Sequence, residues 1–502
     1  MCQCFTNKQL IGNAYAASLM AAISETSDGL DRSMLKQILR RKALPELNSE
    51  GSSGLLRNIT LFQLTLMGIG STLGTGIFFA LAETVPIAGP AVVLSFALAA
   101  VTAALTALCY AEVSSSLPVS GSSYTFTYMT LGQGAAMLVA ACLLLEWGIA
   151  GAAVAVGWSS YLNDLIFIAT GHEIPMAIQT SPFLDGPDGW VLTGESYINL
   201  PAVALVWMCT ILLLRGSRES AIVNAVLTLS KLGVLALFVI LALFAFEQQN
   251  FVPFMPFGIE GVGAAAAIVF FSFIGLDAVV NASEEAINPQ RNIPLAIIVA
   301  LIVVTSVYVL VAVSSLGVQP ASDFQGHDAS LTTILQRATH TPWLGGVLAA
   351  GAVLSIFSVT LVCLYGQSRI FFAMARDKMI PEVLCKVDPH SRSPRAGILL
   401  SSVMVTPLAA VVPSHMLWSM VSLGTLITFI AVAIALVVLR SYYKRVPQGY
   451  RTPWYPIVPI LSIASCLYLL LSLHATVYHL FGIWLLFVIA FYLLYSLKRA
   501  TT

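Results

Sequence analysis

Only 10% of the 502 residues are charged, against about 25% in a typical soluble chain, while 58% are apolar and the mean hydropathy is +0.87. These proportions point away from a soluble globular protein, and the balance of 24 basic against 24 acidic residues offers no field for nucleic acid. The eight cysteines are scattered, several within apolar runs (Cys109, Cys142, Cys209, Cys363), so neither a disulfide frame, a metal site nor a cofactor is expected.

In chain order, residues 1–56 read as a cytoplasmic segment rather than a leader, with Arg40, Arg41 and Lys42 followed by a polar stretch from Glu46 to Gly54. Leucines alternate with basic residues between Asp31 and Leu44. That pattern suits either an amphipathic helix lying on an anionic leaflet or a disordered basic tail. Apolar runs of about 20 residues, the length a span requires, then follow one another. They predict twelve spans, at 60–82, 87–112, 132–165, 197–214, 221–246, 261–284, 294–316, 343–373, 395–411, 415–439, 454–473 and 476–497. Several exceed the hydrocarbon thickness, which predicts tilt or protrusion. Pro407 and Pro413 leave the border near 395–415 the weakest.

Basic residues set the orientation, because loops rich in lysine and arginine stay on the cytoplasmic side. With twelve spans, 22 of the 24 basic residues fall on one face; Arg337 lies opposite and Lys231 lies within a span. The loop after the third span is acidic instead (Glu173, Asp185, Asp188, Glu195). Both ends are therefore expected in the cytoplasm.

Two spans are not plain apolar helices. In the first, Gly68, Gly70, Gly74 and Gly76 thin the backbone within nine residues and weaken the helix. The pattern fits a close helix–helix contact through Gly70 and Gly74, or an unwound stretch whose amides face an anionic group at the N-terminal end of the next half-helix. In the sixth, Gly275 and then Asp277 interrupt the run that begins at Phe270. The two interruptions lie about 200 residues apart, and each opens a block of five spans, as an inverted repeat would leave them.

Charges inside spans mark function or its scaffolding, because an unpaired one costs several kcal/mol. Glu146, Lys231 and Asp277 are the three, in the third, fifth and sixth spans. Burial disfavours the charged form of an amine, which makes Lys231 a candidate proton carrier. The alternative is a permanent ion pair with Glu146 or Asp277 that holds helices together. Glu112, Glu284 and Glu285 fall at cytoplasmic helix ends, where basic loops are available to pair with them. No Walker loop, HExxH or histidine cluster is present, so no catalytic centre is expected.

The glycine-rich run from Gly68 to Phe78, the loop from Pro118 to Tyr124, the stretch Phe271 to Asp277 with its exit Glu284 to Pro289, and Arg369 to Asp377 together carry a resemblance. Over roughly residues 30–500 the chain resembles the amino acid–polyamine–organocation superfamily of secondary transporters, in particular bacterial relatives of the cationic amino acid transporters. The resemblance implies an all-α, LeuT-like membrane fold with twelve helices. Its parts would be a cytoplasmic segment at 1–56, a first five-helix repeat at 57–250, an inverted second repeat at 251–440, and two further helices with a short tail at 441–502. It further implies one amino acid bound between the broken first and sixth helices, alternating access, and residence in the plasma membrane, with protons and lipid as the other partners and no nucleic acid. The substrate carboxylate would meet amides around Ser71, Thr72, Gly74, Thr75 and Gly76, and the ammonium the carbonyls of Ile69, Phe271, Ser272 and Ile274. Phe271 matches the gating aromatic, Lys231 the fifth-helix lysine of proton-coupled relatives, and Glu146 an acid of the cationic branch. The eighth span from Ser358 to Leu364 lacks an acid for a cationic side chain, so a small neutral substrate fits as well as arginine or lysine. Proton symport leads this reading and amino acid exchange is its rival. A channel would show polar rings or a repeated filter, and an enzyme a convergent catalytic set; neither is visible.

Overall fold

The computed structural model describes residues 38–42, 57–117, 119, 121–186, 189–192, 194, 196–324, 331–412, 414–442, 449–473 and 475–497. Most of the segment from Asp31 to Leu44, expected as an amphipathic helix or a basic tail, lies outside the described residues. Residues 38–42 are docked: the Gln133 N–H donates to the Arg40 carbonyl at 3.0 Å and the Lys42 N–H to Tyr128 at 3.2 Å. The Lys42 ammonium pairs with Asp377.

The first predicted span is two helices. α1 (Leu61–Thr72) starts at a capping box, in which Thr60 Oγ1 accepts from the Gln63 N–H at 3.3 Å and Gln63 Oε1 accepts from the Thr60 N–H at 3.0 Å. The helix stops at Leu73 and Gly74, whose backbones leave the α region, and α2 (Thr75–Ala88) continues. α3 (Val92–Ser116) follows a short turn, and α4 (Ser122–Thr130) leads into α5 (Gln133–Thr170). At 38 residues α5 is about 57 Å long, so it tilts or protrudes from a hydrocarbon core of about 30 Å, as its long apolar run predicts. The acidic loop after it forms a hairpin, β1 (Phe183–Gly186) against β2 (Gly189–Leu192), with Phe183 opposite Leu192.

α6 (Leu200–Arg215) and α7 (Ser217–Phe244) come next. The sixth predicted span is again broken. α8 (Gly258–Val269) passes into one 3₁₀ turn at Phe270–Phe273, an irregular stretch to Asp277, and the single turn α9 (Ala278–Asn281). Gly275 sits at φ 108°, a conformation that glycine alone adopts cheaply. A side-chain carbon there would stand 3.0 Å from the Ser71 Cβ and backbone. The remaining helices are α10 (Pro289–Val318), α11 (Leu331–Thr339), α12 (Pro342–Arg376), α13 (Arg395–Val411), α14 (Ser414–Tyr442), α15 (Ile457–Leu471) and α16 (Ala475–Phe491). α13 runs through Pro407, while Pro413 lies outside the described residues.

α5 is the central pillar and packs on α6, α12, α13 and α14; α10 packs on α1 and α3, and α7 on α1 and α12. Among the described residues seven helical stretches are long and apolar enough to cross a membrane, and four shorter apolar helices accompany them. The outer helices turn large apolar side chains outward, among them Ile240, Ile460, Leu486 and Leu494, each more than half exposed. A protein in water would aggregate through such surfaces; in lipid they are solvated. The fold is an all-helical membrane bundle with one small hairpin.

Candidate functional site

The two breaks face each other across a cavity with about 400 Å³ of empty space. Ser71, Thr72, Gly74 and Gly76 line it from the first break, Ser272, Ile274 and Gly275 from the second. α5 adds Glu146, Trp147, Ala150 and Val154, and α12 adds Val359 and Cys363. Its wall is largely apolar with polar groups at the breaks.

Hydrogen bonds hold the irregular backbone. The Ser71 hydroxyl lies 2.7 Å from the Gly275 carbonyl, and 2.9 and 3.0 Å from the carbonyls of Met67 and Gly68 one turn back. The Tyr308 hydroxyl, from α10, stands 2.6 Å from the carbonyls of both Thr72 and Ser272, one at each break. α2 begins at Gly74 with no side chain capping it, so its first amides are available to an acceptor and carry the positive end of the helix dipole. The close approach is obligatory: a side-chain carbon at Gly76 would lie 2.7 Å from the Ser272 Cβ and 2.9 Å from its Cα.

Lys231, from α7, is 1% exposed. Its Nζ donates to the carbonyls of Gly70 (2.9 Å) and Leu73 and to Ser358 Oγ of α12 (3.1 Å). Three acceptors thus meet the three protons of an ammonium, and all are neutral. The ion pair of Lys231 with Glu146 or Asp277 considered above does not form. Both oxygens of Glu146 and both of Asp277 are buried without a hydrogen-bond partner among the described residues, as is Ser272 Oγ.

Six of the nine binding residues expected from sequence therefore share one cavity. Ile69 is the exception in geometry: it does not line the cavity, and its carbonyl accepts the Leu73 N–H at 2.8 Å. The backbones of Thr75 and Phe271 lie at the two breaks, but their side chains fall outside the described residues. Sequence reasoning passed over Tyr308, Ser358 and Trp147. Trp147 directly follows Glu146, and a tyrosine deep in an apolar run was the available signal for Tyr308, because a buried hydroxyl needs a partner.

On the side expected to face the cytoplasm, acids close the bundle. Arg440 grips Glu112 with Nε and Nη2 at 2.6 Å each, and Arg376 meets Glu284 at 2.9 Å. Glu285 also pairs with a basic residue: it is 1% exposed and bound at 2.7 Å by Arg369 and by the Tyr365 hydroxyl, both of α12. No cluster of three or more histidine, cysteine or acidic residues fit for a metal occurs among the described residues.

Residues 59–496 match the family model described as amino acid permease. The chain is 39% identical to a branched-chain amino acid permease of Bacillus subtilis over 93% of its own length and 99% of that protein's. It is 38% identical to a methylthioribose transporter of the same organism, again over 93% and 99%. A human protein, cationic amino acid transporter 4, is 33% identical over 83% of this chain and 64% of its own. The relatives are transporters and permeases, not enzymes, and the chain belongs to the amino acid permease family.

Proposed function

We propose that the protein is a proton-coupled amino acid symporter of the plasma membrane, working by alternating access. The observation that carries the reading is the Lys231 amine, held against the first helix break by neutral acceptors alone. An amine so placed changes charge without breaking an ion pair, and each change alters its grip on the carbonyls of Gly70 and Leu73 beside the cavity. Glu146 and Asp277 support the site as intramembrane acids.

The substrate carboxylate takes the amides near Ser71, Thr72, Gly74, Thr75 and Gly76, the Gly74 N–H giving up its present bond to the Thr72 carbonyl (2.8 Å), and its ammonium the carbonyls of Ile69, Phe271, Ser272 and Ile274. The Ile69 carbonyl already receives the Leu73 N–H, so it serves only through its second lone pair. Apolar lining from Ala150, Val154, Ile274 and Val359 suits a neutral aliphatic side chain, in keeping with the branched-chain permease among the relatives. Twelve spans in a LeuT-like arrangement, two inverted five-helix repeats at 57–250 and 251–440 and both ends in the cytoplasm complete the proposal. Its support is the pair of broken helices and the one-sided basic residues.

The test is uptake into proteoliposomes of labelled neutral and cationic amino acids, with methylthioribose alongside, with and without an inward proton gradient. Accumulation of neutral amino acids in empty vesicles under the gradient is expected. Uptake only into vesicles preloaded with amino acid would make the protein an exchanger instead.

A further inference from the structure

Asn224, Thr228 and Lys231 fall at i, i+4 and i+7 of α7 and form a polar stripe on one helix face. The stripe faces α1 at Gly70. A side-chain carbon at Gly70 would press on Thr228 Oγ1 and lie 3.1 Å from Asn224 Oδ1, and the Gly70 carbonyl receives the Lys231 amine. Asn224 is 3% exposed and Thr228 0%. Neither Asn224 Oδ1 nor Thr228 Oγ1 has a hydrogen-bond partner among the described residues. Buried polar atoms are nearly always satisfied, by ordered water where protein does not reach them.

A second cavity, with about 290 Å³ of empty space, meets the far end of the stripe. Asn224 lines it together with Ile59, Met67, Leu361 and Tyr365. Asn224 lies about 10.5 Å along the axis from Lys231, towards the end of α7 that follows Arg215 and the basic loop. The unpartnered Asn224 Oδ1 and the Tyr365 hydroxyl oxygen, which can still accept although its proton goes to Glu285, offer water two polar partners in an otherwise apolar chamber. Of the helices packed on α7, α1 and its end present only carbonyls to Lys231 and α12 presents Ser358, and among the described residues no charged side chain forms an ion pair with the amine. Arg369 of α12 is occupied by Glu285.

We infer that Asn224 and Thr228 hold, with ordered water, a route by which the Lys231 proton reaches the cytoplasmic side, and that Gly70 lacks a side chain so that this polar stripe can close against α1. The ammonium surrenders to water entering beside Thr228 one of the three protons it donates to Gly70, Leu73 and Ser358, the neutral amine keeps the other two, and the hydronium charge passes outward past Thr228 and Asn224. The inference rests on the proposed proton coupling.

The experiment compares wild type with Thr228→Val, Thr228→Ser and Asn224→Leu in proteoliposomes. It measures gradient-driven accumulation, its dependence on the pH of the cytoplasmic side, and exchange of labelled for unlabelled substrate at equal pH. Loss of one hydrogen-bonded relay position is expected to slow gradient-driven uptake about tenfold in Thr228→Val and Asn224→Leu and to flatten the pH dependence. Exchange stays within about twofold, and Thr228→Ser restores coupled uptake. Wild-type gradient-driven rates in both Thr228→Val and Asn224→Leu overturn the route while leaving proton coupling intact. So does an equal loss in both assays, which reduces the stripe to packing. Absence of gradient-driven uptake in the wild type overturns the coupling reading itself, and the route with it.

Discussion

Ser71 and Gly275, 204 positions apart in the chain, meet where the two helix breaks touch: the serine hydroxyl stands 2.7 Å from the glycine carbonyl, and the glycine has no side chain to hold them apart. The two irregular segments are thus one structural unit.

Gly76→Leu is expected to abolish substrate binding. Its first side-chain carbon would already lie 2.7 Å from the Ser272 Cβ and 2.9 Å from the Cα, where backbone cannot give way cheaply. Binding measured by substrate-induced thermal stabilisation checks this; a wild-type response in a folded variant would remove the site from between the breaks.

Tyr308→Phe removes the hydroxyl that stands 2.6 Å from a carbonyl at each break. Leaving a buried acceptor unpaired costs about 1–3 kcal/mol, so substrate affinity is expected to fall roughly tenfold with little change in packing. An equilibrium binding isotherm on the purified protein provides the measurement. An unchanged affinity would mean that the breaks hold their shape without the tyrosine.

These predictions show where sequence was informative. The twelve apolar runs each overlap a helix, and four glycines in nine residues marked the first break, because both signals are local and periodic. Tyr308 is harder to read for the opposite reason: its hydroxyl in an apolar run signals a partner but does not name one. Within Pro289–Val318 an aromatic reads as packing, and its role depends on two carbonyls supplied by distant segments. Glu285 follows the end of an apolar run, which marks a helix end; that Arg369 is its partner depends on the path of α12. Gly275 stood in a recognised motif, yet its φ of 108° belongs to the folded chain alone.

Lys231→Ala is expected to end gradient-driven accumulation while the protein remains folded. The deletion unties α7 from the carbonyls of Gly70 and Leu73 and from Ser358, but no opposite charge is stranded by it. Uptake under an imposed proton gradient, alongside a melting curve, separates lost coupling from lost structure. Proton-driven uptake at the wild-type level would end the case for Lys231.

Removing one partner of a buried ion pair costs about 3–5 kcal/mol, whereas an exposed pair is worth about 0–1 kcal/mol. Glu285→Ala strands Arg369, 2% exposed at its side chain, and is expected to lower the melting temperature in detergent strongly. Glu284→Ala, whose partner Arg376 is 30% exposed, is expected to lower it much less. Equal shifts for the two would contradict the difference in burial.

The N–H groups of Asn58 and Ile59 both reach the Glu285 carbonyl at 3.0 Å, and the Ile287 N–H donates to the Ile59 carbonyl at 2.9 Å, so Ile59 and Ala286 form a single parallel bridge. The lead-in to the first broken helix and the exit from the second are therefore yoked. A swing of one half-helix away from the cavity drags its counterpart along the same arc or first has to snap the yoke. If the site opens towards that side, the two halves are expected to move together, and a ligand gripping either break to restrain both.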